Sequence, residues 1–381
     1  MPIPVHVKIK KKDWNMDILV IGNGFDLAHG LKTSYKDFLL ACQKDKLPEE
    51  FKDFCQTNVW LKHFITSNAN SNEKFGETWI DLEKEIFKVI DHINKVIFWT
   101  MDEPYSNCKS LKIFKRGFYF NFFNIGDNLQ DDRNHQDFGQ QGYIITYQNS
   151  ENCKIIYFRN LKGFINFLYD QLREFTYAFE YYLDKIVLSN LNTESQYIIS
   201  LQSGCKSLSV LSFNYTDTCE RLYRKDFAIK PYYVHGKINC NKNTCKLVLG
   251  THSFDNKPQN EKPRSAIPYE FNVFRKHNQR HKYRTIEAYQ ELLKELTDHR
   301  KVIKPVFHVI GHSLDETDKN ILKHLFLINK NAIINIYYHD EEAQERLINN
   351  ITDIIGEEEV MMRVRLIYQH DENRGILKHR D

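Results

Sequence analysis

Four short polar clusters hold the residue types of a reactive site. They are Gly22-Asn23-Gly24-Phe25-Asp26, Phe213-Asn214-Tyr215-Thr216-Asp217, Val234-His235-Gly236, and Gly311-His312-Ser313-Leu314-Asp315-Glu316-Thr317-Asp318. Glycines in a turn let a phosphate or a sugar approach the backbone, and a helix start behind the turn favours an anion. An asparagine amide can fix a ribose hydroxyl or a water. A histidine takes up a proton near neutral pH. Ser313 can hydrogen-bond a ribose or a phosphate, and His312 stands beside it in the same glycine turn. Each cluster also has a plain structural explanation: a bare tight turn at Gly22 and Gly24, a helix cap at Asn214, a core histidine at His235, a helix-start charge at Asp318.

What raises the chemical reading is position. Each cluster follows an apolar run: Ile18 to Ile21, Leu208 to Phe213, Tyr232 to Val234, and Val306 to Ile310. Short wholly apolar runs are strands buried on both faces of a parallel sheet, and such sheets place ligands beyond the carboxyl ends of their strands. Further strands are expected at Leu247 to Leu249, Ile333 to Tyr338 and Val364 to Tyr368, with helices at Asp217 to Lys225, Thr285 to Leu296, Glu316 to Ile328 and Glu341 to Ile351. Strand and helix alternating in this way predict an α/β fold, a Rossmann-like doubly wound and mostly parallel sheet with a large helical insertion.

The insertion is read between the first strand and the rest. Residues 1–16 form an N-terminal extension, 17–40 and 206–381 the Rossmann-like nucleotide-binding domain, and 41–205 the mainly helical insertion. Within and before it, helical spacing marks Lys32 to Lys44, Leu47 to Ser67, Glu77 to Met101 and Leu161 to Leu188. The last carries the stripe Phe164, Phe167, Leu168, Leu172, Phe175, Phe179 and Tyr182, fit for a core or for a homo-oligomer or partner interface. Trp79, Asp81 and Glu83 stand in the first turn of the third, where a carboxylate suits the helix dipole or a nearby site. Residues 102–159, rich in Asn, Asp, Gln and Gly, read as an irregular surface insertion.

Composition narrows the function. The chain has 381 residues with 26 Phe and 21 Tyr, ample for a packed core. Its 53 basic and 50 acidic residues leave +3, too even a balance for a general nucleic-acid field, so nucleic acid is not the expected partner. Eight scattered cysteines suit free thiols in a reducing compartment. No secretory pattern and no apolar run of roughly 20 residues is present, so a cytoplasmic protein off the membrane is expected. Metal is not expected: Cys240 and Cys245 lack a second compact pair, and His308 and His312 span a strand and its turn. The first turn is not the dinucleotide fingerprint, because Leu27 occupies the third glycine position. Walker, nucleophile-elbow and zincin motifs are absent.

The segments IGNGFDLAHGLKTSYKDF, TWIDLE, FNYTD, VHG and GHSLDETD closely resemble the AbiH family of bacterial abortive-infection proteins, which act against bacteriophage. The order of the motifs is also similar to that of sirtuin-like domains, which bind NAD and in several defence versions hydrolyse it. That resemblance implies NAD as ligand or substrate. It implies that Gly22, Gly24, Phe25 and Asp26 meet the cofactor, that Asn214 and His235 act at the nicotinamide ribose, and that Gly311 with Ser313 holds the adenosine side; Asn23, His312 and Asp318, in the same turns, are read as further cofactor-binding candidates. Asp26 or Asp217 would support positive charge during glycosidic cleavage. The zinc ligands of deacylase sirtuins are absent, against protein deacetylation. Two other functions stay open: a nucleotide-sensing module that switches a partner without turnover, and an RNA-directed nuclease or toxin.

Overall fold

The computed structural model describes residues 13–70, 82–91, 93, 143–148, 153–158, 161–192, 197–201, 207–239, 245–251, 268–297, 302–371 and 373–379. They fall into two compact units, one of residues 1–30, 192–235 and 285–381, the other of residues 31–191 and 236–284.

The first unit is built on six strands: β1 (Asp13–Ile21), β5 (Ser207–Ser212), β6 (Ala228–Tyr233), β7 (Val302–Ile310), β8 (Ile333–Tyr338) and β9 (Val364–Tyr368). They pair in the order β6-β5-β1-β7-β8-β9, every neighbour parallel. The chain lays down β1, β5 and β6 outward on one side, then crosses back to place β7, β8 and β9 on the other. This is the doubly wound Rossmann order, and its switch point lies between β1 and β7. A short antiparallel pair, β4 (Tyr197–Ile199) with β10 (Leu377–His379), also belongs to this unit.

Alternation assigns the core. Ile18 and Val20 of β1, Phe307 and Val309 of β7 and Ile334 and Ile336 of β8 share one face. They pack with Leu292 and Leu296 of the helix Ile286–Leu296, Leu322 and Phe326 of Lys319–Leu327, and Leu347 and Ile351 of Glu341–Ile355. Burying each such side chain contributes about 1.5–3 kcal/mol. On alternate positions His308 bridges strands, Nε2 to Asp17 Oδ1 at 3.0 Å and Nδ1 to the Tyr337 hydroxyl at 3.1 Å. Burial, with the Asp17 charge, raises the Tyr337 phenol. His308 is thus a buried cross-strand tie.

The second unit holds helices α2 (Tyr35–Gln43), α3 (Lys52–Thr57), α4 (Val59–Asn70), the helical residues 82–91, Leu161–Tyr181 and Lys276–Tyr283, with an antiparallel hairpin of β2 (Tyr143–Gln148) and β3 (Cys153–Phe158). The aromatic stripe expected on 161–188 is its core: Phe164, Phe175 and Phe179 are fully buried, with Phe38 and Phe64 against Phe175. Trp60 Nε1 donates to the Leu168 carbonyl at 2.8 Å. Most of the stripe is therefore packed within its own unit, with Phe167 half-buried. Glu83 pairs with Lys276 at 2.7 Å, both side chains buried.

Several expectations need correction. The glycine turn feeds a six-residue helix, Asn23–Ala28, because Gly30 at φ +75° breaks it and Ser34 starts α2 by accepting from the Asp37 amide at 3.1 Å. Leu47 to Ser67 is divided at Asn58, whose Oδ1 accepts from the Leu61 amide at 3.0 Å. Leu247 to Leu249 is no strand: Gln279 serves as its partner, Oε1 accepting from the Leu249 amide and Nε2 donating to its carbonyl. Asp13 to Met16 are not an extension but the start of β1, paired with Val302 to Pro305. Residues 236–284 group with the helical unit, where that Gln279 bond ties 245–251 to Lys276–Tyr283. The hairpin lies within the stretch read as irregular surface. Trp79, Asp81, Asp127 to Gln141 and Cys240 lie outside the described residues.

Candidate functional site

All four clusters lie in the first unit apart from Gly236, and each follows a strand of the parallel sheet. The β1 and β7 turns meet at the switch point. The Gly22 amide donates to the Ile310 carbonyl at 3.2 Å, Gly24 to Gly311 at 2.8 Å and Phe25 to Gly22 at 2.9 Å. A Cβ on Gly24 would sit 2.7 Å from Gly311 Cα, and one on Gly311, itself at φ +62°, 2.1 Å from Phe25 N. Glycine is required here so that two backbones can touch. The amides a phosphate would use are donated inside the chain.

Asp26 follows directly, in the first turn of Asn23–Ala28, and is 1 % exposed. Its Oδ2 accepts from Thr216 Oγ1 at 2.5 Å, while Oδ1 is buried without a partner. Burial raises its pKa to about 6. The side chains of Thr216, Thr218 and Asn214 oppose that rise, and the negative charge of Asp217 adds to it. Thr218 Oγ1 has no hydrogen bond of good geometry, so we read its effect as that of a nearby dipole. A carboxyl so placed titrates within the physiological range, a mark of functional positions.

Asn214 does not cap the next helix. Its Nδ2 donates to the Gly22 carbonyl at 3.0 Å, and its amide donates to Ser212 Oγ at 3.2 Å. The β5 end thus holds the β1 turn by its side-chain amide, and Asn214 is 1 % exposed. Asp217 takes the N-cap position of Thr218–Tyr223 without a side-chain cap bond. Its Oδ1 accepts from Arg221 Nε at 2.5 Å instead, which offsets its charge.

His235 ends the β6 segment, and Gly236 leaves it at φ +86°. The imidazole Nε2 lies 3.2 and 3.3 Å from Asp318 Oδ1 and Oδ2, with both side chains almost fully buried. Phe213 stands edge-on to it at 5.5 Å and to His312 at 4.3 Å between ring centres. His312 Nδ1 accepts from the Leu314 amide at 2.9 Å, in a turn where Leu314 itself has φ +56°. The Ser313 carbonyl accepts from Asn350 Nδ2 at 2.8 Å, and Ser313 is half-buried.

The structure therefore groups Asp26 with Asn214 and Thr216, and His235 with Asp318, Phe213 and His312. Sequence reasoning passed over Thr216, although a hydroxyl two residues after Asn214 and one before Asp217 was a legible signal. It also passed over the His235 to Asp318 contact, which spans 83 residues and has no local trace. His29 was missed as well: its ring nitrogens contact the Phe25 carbonyl and the Tyr223 hydroxyl, both at 2.7 Å, and burial lowers its pKa.

The grouped side chains are carboxyls, an amide and imidazoles, which suit hydroxyls and a water, and Asp26 Oδ1 is an unused buried acceptor. The four clusters contain no Lys or Arg. Among the described residues no helix is long and apolar enough to cross a membrane.

No curated protein and no solved structure matches the chain. One family model does, that of bacteriophage abortive infection AbiH, over residues 18–338, well over half of the chain. The chain thus belongs to the AbiH family of bacteriophage abortive-infection proteins.

Proposed function

We propose that the α/β unit binds NAD and hydrolyses it at the nicotinamide-ribose bond, as the chemical step of an abortive-infection response. The observation that carries this reading is the meeting of the β1 and β7 turns, the Asn214 amide and the His235-Asp318 pair at the carboxyl ends of one parallel sheet. The nicotinamide of NAD is a cationic leaving group. When its bond to C1′ breaks, the electron pair goes to the ring nitrogen and nicotinamide leaves neutral. Positive charge develops on the ribose, the oxygen of water bonds to C1′, and His235 takes the water's proton. The products are nicotinamide, ADP-ribose and one proton.

In this scheme the chain supplies position and charge rather than a covalent partner. Asn214 sets the β1 turn and presents the amide that meets the 2′-hydroxyl or the water. Asp26 supplies negative charge once pH exceeds its raised pKa of about 6. Asp217, already matched by Arg221, contributes less charge than sequence reasoning gave it.

The test is nicotinamide release from NAD by the purified chain. Asn214→Ala and His235→Ala are expected to slow it by about a hundredfold or more, the usual worth of a positioned acid-base group. Equal release by wild type and both variants would overturn the assignment. A second reading, nucleotide sensing without turnover, is favoured by the burial of Asn214 and His235, 1 % and 4 % exposed. Intact NAD retained through purification, with no product, would select it.

A further inference from the structure

We infer that Asp318 is the positioning residue of His235: it holds the proton on Nε2 and leaves the basic lone pair on Nδ1. This deepens the NAD reading and rests on it for its catalytic consequence. It also differs from the sequence reading of Asp318 as a cofactor contact or a helix-start charge.

Three observations point the same way. Asp318 ends the 3-10 turn Glu316–Asp318 that leads into the helix Lys319–Leu327, and that turn is capped by Asp315, whose Oδ1 accepts from the Thr317 amide at 3.4 Å. The Asp318 carboxylate caps no amide of the helix behind it. The Asp318 oxygens instead face His235 Nε2 at 3.2 and 3.3 Å.

The second observation is confinement. Phe213 and Tyr215 stand around the imidazole with ring centres 5.5 and 6.3 Å away, and His235 is 4 % exposed. A ring so enclosed is oriented by its strongest polar partner. The third is chemical. An ionised carboxylate only accepts, so the nitrogen facing it carries hydrogen, and the neutral imidazole keeps its acceptor lone pair on the other nitrogen. The carboxylate also stabilises the imidazolium formed when His235 takes the water's proton. The Ser-His-Asp triad uses a carboxylate in this way on unrelated folds.

A purely structural tie between the β6 end and the next helix would be equally short, so the experiment must separate the two. The full chain is labelled with 15N-histidine, and long-range 1H-15N spectra are taken for wild type, Asp318→Asn and Asp318→Glu. The His235 signals are identified by their loss in His235→Gln. Wild type and Asp318→Glu are expected to show the Nε2-H tautomer, and Asp318→Asn a mixed or reversed population. On NAD, Asp318→Asn should lose about tenfold or more in kcat with KM within about threefold, and Asp318→Glu should regain part of it. An unchanged tautomer in Asp318→Asn, or a raised KM at unchanged kcat, would overturn the inference. If wild type releases no nicotinamide the NAD reading fails, and the spectra alone still decide whether Asp318 sets His235.

Discussion

At the scale of single residues the site is fixed by what cannot be changed. Gly311 combines φ +62° with a Cβ position 2.1 Å from Phe25 N, whereas Gly356, at φ +88°, has nothing within 4 Å of its Cβ position. Gly356→Ala should cost about 1–3 kcal/mol, backbone strain alone. Gly311→Ala adds a backbone collision and should cost on the order of 4 kcal/mol or more, read by urea unfolding or by failure to accumulate folded chain. Asp26 has the opposite signature. Its pKa rises from 3.8 to about 6 on folding, so the native state holds the proton more tightly than the unfolded chain. The stability it contributes is full below the lower value and lost as pH rises through the upper. Asp26→Asn should therefore gain on wild type by about 3 kcal/mol between pH 4 and 7. Parallel unfolding curves for the two proteins across that range would contradict it.

Among elements, the helical unit is tied by a buried charge pair. Glu83 of 82–91 and Lys276 of Lys276–Tyr283 lie 2.7 Å apart with side chains 4 % and 3 % exposed. Removing one partner strands a charge in a dry interior, so Glu83→Gln or Lys276→Met alone should cost about 3–5 kcal/mol. The double change should cost clearly less than the sum of the two, and additive melting shifts would show that the pair is not coupled. In the sheet unit Arg363 plays a comparable part without a functional site nearby. Its guanidinium donates to the carbonyls of Phe326, Asn329 and Ala332 and to Glu359, closing the end of Lys319–Leu327 and the turn into β8. Lysine has no planar fork, so Arg363→Lys should destabilise nearly as much as Arg363→Ala, by about 2–3 kcal/mol on thermal melting.

For the whole molecule, charge decides between partners. A net +3 from 53 basic and 50 acidic residues gives no extended field for a polyanion. RNA should bind weakly at about 50 mM salt and be lost by about 200 mM, since few counterions are released. Tight RNA binding that survives the higher salt would return the nuclease reading to contention.

The sequence by itself determined the strands, because an unbroken apolar run such as Ile18 to Ile21 or Ile333 to Tyr338 can be satisfied only between two covered faces. It determined the four clusters too, since each must follow its strand. It could not place Asp13 to Met16 in β1, because that pairing is with Val302 to Pro305, nearly 300 residues away. Nor could it show that Leu247 to Leu249 is held by a side chain, since Gln279 supplies through space what a neighbouring strand would supply by register. The site divides in the same way. Residue types were legible, but partners were not: Asn214 looks like a cap until the fold brings the Gly22 carbonyl to it, and Asp318 looks like a helix charge until His235 arrives. A hydrogen bond is set by angstroms in space, and only the tertiary structure brings residues 83 or 192 positions apart to that distance.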